Sequence, residues 1–205
     1  QGNQLPYLDG VRISFIADRG AEFLQFSQGK LDFMTGLDIS YKDKLLTATG
    51  ELQPEWKHKI NFEKMPFLNT EYLGISMAKQ DCEALKNKKV RQAINYAIDR
   101  KKMIAYLRNG VGVPAENGMI PNGLPCFDAA IKGYSYDVEK AKKLLVEAGY
   151  PNGKGITKLK IYSNPTYSDL ITNIANELAN VGIVCEIENT LATFLREAMR
   201  KNEVG

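Results

Sequence analysis

The chain has 205 residues, of which 44% are hydrophobic and 25% are charged. This length suits one large domain or two small ones, and the composition is that of a globular rather than a disordered protein. Its apolar runs fall far short of the roughly 20 residues that a membrane-spanning helix needs. With 27 basic and 24 acidic residues the net charge is only +3, so no nucleic-acid partner is expected.

Both ends of the sequence indicate an excised piece. The chain begins with Gln1 rather than Met, and its first ten residues contain neither a basic region nor an apolar signal core. It finishes at Gly205 directly after a helical pattern, without a closing strand. We therefore expect residues 1–205 to be one part of a longer protein.

The first third of the chain is predicted to contain short strands and short helices. Alternating apolar and polar residues predict a strand with one buried face over residues 11–16. Further strand-like stretches follow at 31–34, 59–65 and 72–77. Short helices are predicted over 21–28 and 42–49, ending at Gly29 and Gly50.

The middle of the chain is predicted to be helical. Within residues 87–109, apolar residues recur at i, i+3, i+4, i+7 and i+8 and form one buried face: Val90, Ala93, Ile94, Ala97 and Ile98. Asp99 is the predicted cap of a second helix, which ends at Gly110. Residues 110–125 hold four glycines and three prolines, which predicts a long surface loop.

The last third predicts a strand–helix–strand unit. Asp137 caps a helix that ends at Gly149. The predicted elements that follow are a strand at 159–162, a loop at 163–167, a helix at 170–181, a strand at 183–187 and a helix at 192–200. This order implies parallel strands joined by a crossover helix, and therefore an α/β layer architecture.

The sequence contains no recognisable set of catalytic or metal-binding residues. Three cysteines, Cys82, Cys126 and Cys185, include no CxxC pair, and His58 is the only histidine, so no zinc site is predicted. One disulfide or three free thiols are both compatible with this count. There is no GxSxG elbow, and residues 149–155 lack the glycine spacing of a phosphate loop. We expect that the protein is not an enzyme and that it has neither a cofactor nor a metal. A hydrolase is the third hypothesis, behind two non-enzymatic roles.

Three stretches resemble a known family, the extracellular solute-binding proteins of peptide and nickel ABC transporters (family 5). They are Leu5-Pro-Tyr-Leu-Asp-Gly-Val-Arg12 with Gly29-Lys-Leu-Asp-Phe33, then Val90-Arg-Gln-Ala-Ile-Asn-Tyr-Ala-Ile-Asp-Arg100, and Asp137-Val-Glu-Lys-Ala-Lys-Lys-Leu-Leu-Val-Glu-Ala-Gly-Tyr150 after Pro121. The second stretch is the most specific. All occur in the family's order over essentially the whole chain, although Ser76 stands where family members usually carry Asn.

The resemblance implies a periplasmic-binding-protein-like (type II) lobe, with a mixed sheet flanked by helices, from a longer two-lobed protein. Such a protein is expected to capture a small solute, a peptide first of all, between its lobes and to deliver it to an ABC permease. It is expected to be a monomer on the periplasmic or extracellular face, lipid-anchored or secreted. A ligand-sensing or partner-interaction domain on the same fold is the alternative hypothesis.

Ligands of open α/β sheets bind beyond the carboxyl ends of the strands, near helix N-termini. Two places fit this rule: the strand at 72–74, where a glycine lets a ligand approach the backbone, and the polar, aromatic loop at 162–167. The predicted ligand-binding residues are Tyr72, Gly74, Tyr162, Ser163, Asn164, Thr166 and Tyr167. A half-buried strand and an ordinary capped turn are the alternative interpretations. The loop at 110–125 faces either the cleft or only the surface.

Overall fold

The computed structural model describes residues 7–37, 41–65, 67–77 and 82–201, so Leu5 and Pro6 of the first motif lie outside the described residues. The helices and strands within these ranges are α1 (Arg19–Ser27), α2 (Lys42–Leu45), α3 (Lys88–Ala97), α4 (Arg100–Leu107), α5 (Val138–Glu147), β1 (Leu159–Ser163), α6 (Ser168–Ala179), β2 (Cys185–Asn189) and α7 (Ala192–Arg200). None of the helices described has the length and apolar character needed to cross a bilayer.

The larger hydrophobic core lies where α3 packs on α5 and where α6 covers the two strands. Val90 and Ala93 of α3 and Leu145 of α5 are completely shielded from solvent. The apolar face predicted for α3 is therefore confirmed. Burying one such Leu or Val side chain stabilises the fold by about 1.5–3 kcal/mol.

Polar side chains cap the helices of this core. A backbone N–H of the first turn donates to the cap side chain at 2.9 Å for Asn87, at 3.0 Å for Asp99 and at 2.9 Å for Asp137. Asp99 and Asp137 are the caps predicted from the sequence. Each cap stabilises its helix by about 1 kcal/mol, because it satisfies an N–H that has no partner within the helix.

The two strands pair in parallel, with Leu159 opposite Cys185 and Ser163 opposite Asn189, and α6 forms the crossover between them. The predicted strand–helix–strand unit and the α/β class are thus confirmed. Side chains of β1 alternate, so that Leu159, Ile161 and Ser163 are buried on the core face. Strand β2 begins two residues later than predicted, after the fully buried Ile183.

Four strands predicted in the first third of the chain are wrong: the described residues at 11–16, 31–34, 59–65 and 72–77 form no strand. Val11, Ile13 and Phe15 are 77%, 72% and 96% exposed. A strand forms only where a neighbouring strand pairs its N–H and C=O groups, and within the described residues no strand pairs with these stretches. The sheet they contain is one parallel pair, together with an isolated antiparallel bridge between Leu46 and Leu52.

A smaller core gathers in the N-terminal region. Phe23 of α1 is buried together with Leu45 and Leu46, and the rings of Tyr41 and Trp56 pack on Phe23 with centroids 4.8 and 5.9 Å away. The helix predicted over 42–49 ends earlier than expected, at Leu45. Leu46 instead pairs with Leu52 in the antiparallel bridge. A tight turn between these two residues is favoured because it lets both of their segments be buried.

Asn109, at the end of α4, connects the two cores. It is buried, and its Nδ2 donates to the Asp43 carboxylate at 2.9 Å and to the Thr47 carbonyl at 3.2 Å. Its Oδ1 accepts from the Lys42 ammonium at 2.7 Å. The backbone of Asn109 is left-handed, with φ of 49°, a conformation that asparagine tolerates better than most residues.

The predicted loop at 110–125 is confirmed, since no helix or strand forms between α4 and α5. It is nevertheless held at defined points. Nδ2 of Asn117 donates to the carbonyls of Ala129 and Ile131 at 2.9 and 3.0 Å. The Thr70 hydroxyl donates to the Met119 carbonyl at 2.9 Å, which fastens the loop to the segment before Tyr72.

Candidate functional site

The carboxyl ends of β1 and β2 form one edge of the sheet, here called the carboxyl edge. Ser163 and Asn189 end the two strands opposite each other, and a 3-10 turn, Pro165–Tyr167, leads from β1 into α6. The Asn189 amide donates to the Ser168 hydroxyl at 3.1 Å, and the Thr190 N–H donates to the Ser163 carbonyl at 2.8 Å. These bonds fasten the first turn of α6 to the end of β2.

Two of the predicted ligand-binding side chains shape the turn itself. Ser163 is buried, and its hydroxyl donates to the Asn164 carbonyl at 3.3 Å. The Asn164 side chain accepts from the Thr166 N–H at 3.0 Å and so caps the 3-10 turn. The Thr166 side chain is exposed and Tyr162 is half-buried. Thr166 is therefore the most accessible hydroxyl that this turn offers to a solute.

Tyr167 brings the two predicted places together. Its ring packs against the larger core, while its hydroxyl interacts with the carboxylate of Glu71, the neighbour of Tyr72. Burial, and then the charge and hydrogen bonding of Glu71, raise the pKa of Tyr167 above its usual value. The segment at 71–74 thus adjoins the loop at 162–167, a proximity that the sequence alone did not reveal.

Arg108, at the end of α4, pairs with Asp169 in the first turn of α6. Its Nη1 donates to Asp169 Oδ2 at 2.7 Å and its Nη2 donates to Oδ1 at 3.3 Å. Burial alone would raise the pKa of Asp169. The hydrogen bonds and the charge of Arg108 lower it by more than burial raises it, so the net shift is downward. Asp169 is therefore ionised at neutral pH.

Sequence reasoning missed Glu71, Arg108, Asp169 and Asn189. Asp169 carried a weak signal, because a carboxylate in the first helical turn is favoured by the helix dipole. Arg108 and Asp169 are 61 residues apart, and no local pattern links them. Only the packing of α4 on α6 makes them neighbours.

The segment at 72–74 is open to solvent. Tyr72 is 68% exposed and Gly74 is exposed, and a Cβ added at Gly74 would meet the Tyr72 ring at 3.6 Å, an ordinary contact. The chain itself therefore does not require glycine there, and the space beside it is free for a ligand. Leu73 and Ile75 line an open groove whose other wall is α3 with Tyr134.

The groups at this edge suit binding rather than bond breaking. They offer the hydroxyls of Thr166 and Tyr167, the Asn189 amide, the Glu71 carboxylate and the Tyr72 ring as hydrogen-bonding and stacking partners. The Ser163 hydroxyl bonds to a backbone carbonyl and not to a general base. Across the described ranges no three His, Cys, Asp or Glu side chains are grouped to hold a metal ion.

An α/β lobe with a polar, solvent-facing carboxyl edge is shared by several classes of ligand-binding protein, so it does not by itself define the family. Residues 2–205 match the family described as bacterial extracellular solute-binding proteins, family 5 Middle. The match covers nearly the whole chain, and the chain therefore belongs to this family. The resemblance seen in the sequence is confirmed.

Individual relatives agree with this assignment. Heme-binding protein A of Haemophilus influenzae is 31% identical over 180 residues, which are 86% of this chain and 30% of that protein. Glutathione-binding protein GsiB of Escherichia coli is 28% identical over 183 residues, which are 89% of this chain and 33% of that protein. The chain spans about a third of the length of these relatives.

A solved structure confirms the type II periplasmic-binding-protein-like fold. The ABC transporter-associated periplasmic binding protein DppA from Helicobacter pylori, in complex with peptide STSA, superimposes with a TM-score of 0.75 at 27% identity. The superposition covers 92% of this chain and 34% of DppA.

Proposed function

We propose that this chain is one part of the substrate-binding component of an ABC uptake transporter. That component captures a peptide or a similar small solute between two lobes and delivers it to the permease. The observation that carries the proposal is the likeness to DppA, a peptide-binding protein, over 92% of the chain. Because relatives are named for heme and for glutathione, the family supports a small solute in general, with a peptide as the first candidate.

The geometry of the carboxyl edge supports this role. In open α/β sheets the ligand lies beyond the carboxyl ends of the strands, which is where the two predicted segments adjoin. Closure of a second lobe over this edge requires that the solute make more favourable contacts in the shut state than in the open one. The proposed ligand-binding residues are Tyr72, Gly74, Tyr162, Ser163, Asn164, Thr166 and Tyr167.

The proposal extends to partners and location. We propose a monomer that works outside the cytoplasmic membrane, lipid-anchored or secreted, with the ABC permease as its protein partner and no nucleic acid. It has no cofactor of its own and transports the solute without altering it. The binding-protein names of the relatives support this, as does the absence of a base beside the Ser163 hydroxyl.

Thermal unfolding of the protein at its natural length tests the function. Peptide STSA, glutathione and heme are the probes, taken from the names of the relatives. A ligand that binds only the native state at 100 times its Kd stabilises that state by about 2.7 kcal/mol, so one probe should raise the melting temperature clearly. No shift with any probe or with a pool of random tetrapeptides would refute a solute-binding role. Mass spectrometry that finds cleaved probe would favour the hydrolase hypothesis.

Two variants localise the binding. Thr166→Ala removes the exposed hydroxyl of the turn and should weaken binding of the responding probe by a factor of about 5–10, the value of one lost hydrogen bond. Thr157→Ala is the matched control, because Thr157 is exposed just before β1, at the end of the strand opposite the carboxyl edge. Equal affinities for both variants would place the site elsewhere.

A further inference from the structure

We propose that Arg108 is a positioning residue of the carboxyl edge. It holds the first turn of α6, and with it the turn at 163–167, in the geometry that receives the solute. This inference rests on the proposed function, because it concerns the same site.

Arg108 extends from a fixed part of the backbone. Its Nη1 also donates to the Leu107 carbonyl at 2.6 Å, which holds the guanidinium back along α4. The next residue, Asn109, is buried and bonded to Asp43, Thr47 and Lys42 of the smaller core. The end of α4 is thus anchored independently of α6, so the guanidinium is a stable reference point.

The contact with Asp169 is made at two points. Both oxygens of the carboxylate accept from different guanidinium nitrogens, at 2.7 and 3.3 Å. A two-point pair fixes the orientation of the carboxylate as well as its distance, which a single ammonium cannot do. Both side chains are mostly shielded, with exposed fractions of 22% and 30%, so water screens the pair less than a surface pair.

Asp169 transmits this orientation to the site. It is two residues from Tyr167 and one from Ser168, whose hydroxyl accepts from Asn189. The first turn of α6 is therefore held by the end of β2 on one side and by Arg108 on the other. Loss of the contact with Arg108 should therefore loosen this turn relative to Glu71.

A second contact between α4 and α6 provides a matched control. Glu177 is buried near the far end of α6, and its Oε2 accepts from the Asp99 N–H at 3.0 Å. It is eight residues from Asp169, about 12 Å along the helix. Glu177→Gln disturbs how α6 packs on α4 without touching the site, whereas Asp169→Asn and Arg108→Lys act at the site.

The first measurement is amide hydrogen exchange by the protein at its natural length, without ligand. In Arg108→Lys and Asp169→Asn, exchange of the amides at 166–170 should accelerate about tenfold, while protection of α3 changes little. In Glu177→Gln the acceleration should appear around residues 98–100 and in the C-terminal half of α6. The double variant Arg108→Asp with Asp169→Arg should regain part of the protection, because the pair is re-formed with reversed charges.

The second measurement is calorimetric binding of peptide STSA, or of whichever probe the wild type binds. The two site variants should lose about tenfold in affinity, equal to about 1.4 kcal/mol, with Glu177→Gln close to wild type. Unchanged exchange at 166–170 in both site variants would overturn the proposal. So would accelerated exchange with undiminished affinity, since Arg108 would then serve the fold alone. A charge-reversed pair that restores protection but no affinity would show that Arg108 touches the solute directly.

These outcomes separate the two claims. If the wild type binds none of the probes, the proposed function fails and the positioning role fails with it. If the wild type binds and the site variants bind equally well, only the role of Arg108 is refuted.

Discussion

The N-terminal region at 7–77 and the C-terminal region at 82–201 differ sharply in how they use their apolar residues. Sixteen residues form the buried core of the C-terminal region, whereas three form that of the N-terminal region within the described residues. Phe15 and Phe33 of the N-terminal region are 96% and 78% exposed. Hydrophobic residues alone therefore do not make a core.

The difference comes from the availability of partners. In the C-terminal region α3 packs on α5, and α6 packs on the strand pair that it connects, so each apolar face meets another apolar face. The extended stretches of the N-terminal region have no strand beside them among the described residues. Several of their apolar side chains therefore stay exposed to solvent. Asn109 is one of the polar links that fasten the weaker region to the stronger one, together with the bond from Thr70 to Met119.

The largest effect is expected from Leu145→Ala in the larger core. Leu145 is fully buried, so the substitution should lower the free energy of unfolding by about 2–5 kcal/mol. Val146→Ala is the control, because Val146 is 58% exposed and should change stability by less than about 0.5 kcal/mol. Urea denaturation followed by far-ultraviolet circular dichroism measures both. Similar losses in the two variants would contradict the placement of the core.

The link between the two regions is tested at Asn109. Asn109→Gly keeps the left-handed backbone but removes the side-chain bonds, and it should destabilise the docking of α2 by about 1–3 kcal/mol. Hydrogen exchange at residues 42–47 should accelerate while that of α5 is unchanged.

Asn109→Ala should be worse than Asn109→Gly, because it adds strain at a φ of 49°. If acceleration in either variant spread equally to α5, the two regions would unfold as one unit.

A smaller, pH-dependent effect is expected from the pair of Arg108 and Asp169. The pKa of Asp169 is lowered in the folded protein, so the pair contributes stability above the unfolded pKa of 3.8 and loses it as the pH falls through the folded value. Asp169→Asn should therefore be less stable than the wild type at pH 7. The difference should shrink as the pH falls from about 5 to about 2. A constant difference in unfolding free energy over that range would contradict the pair.

The three cysteines differ in burial, so their reactivity reports on the packing around each of them without a mutation. Cys126 is exposed in the loop before α5, Cys185 is partly buried on β2, and Cys82 is buried in the larger core. Burial raises the pKa of the Cys185 thiol to about 11. Because Cys126 is exposed and very little of the Cys185 thiol is ionised at pH 8, a disulfide reagent should label Cys126 first. Equal labelling rates for Cys126 and Cys185 would contradict this order.

Part of the carboxyl edge could be predicted from the sequence. The rule that ligands lie beyond parallel strands selected the turn at 162–167, and the structure places its Tyr167 beside Glu71, the neighbour of Tyr72. Whether these residues bind the solute stays a prediction. Glu71, Arg108 and Asn189 could not be predicted, because each reaches the edge from an element distant in sequence.

The features that could be predicted from the sequence were local ones. The caps Asp99 and Asp137 and the buried face of α3 were all predicted, because a helix satisfies its hydrogen bonds within a few residues and displays its apolar face at a fixed period. The tertiary structure decided the rest. It alone determined that the alternation at 11–16 forms no strand and that Arg108 meets Asp169, because strand pairing and ion pairing depend on which distant segment lies alongside.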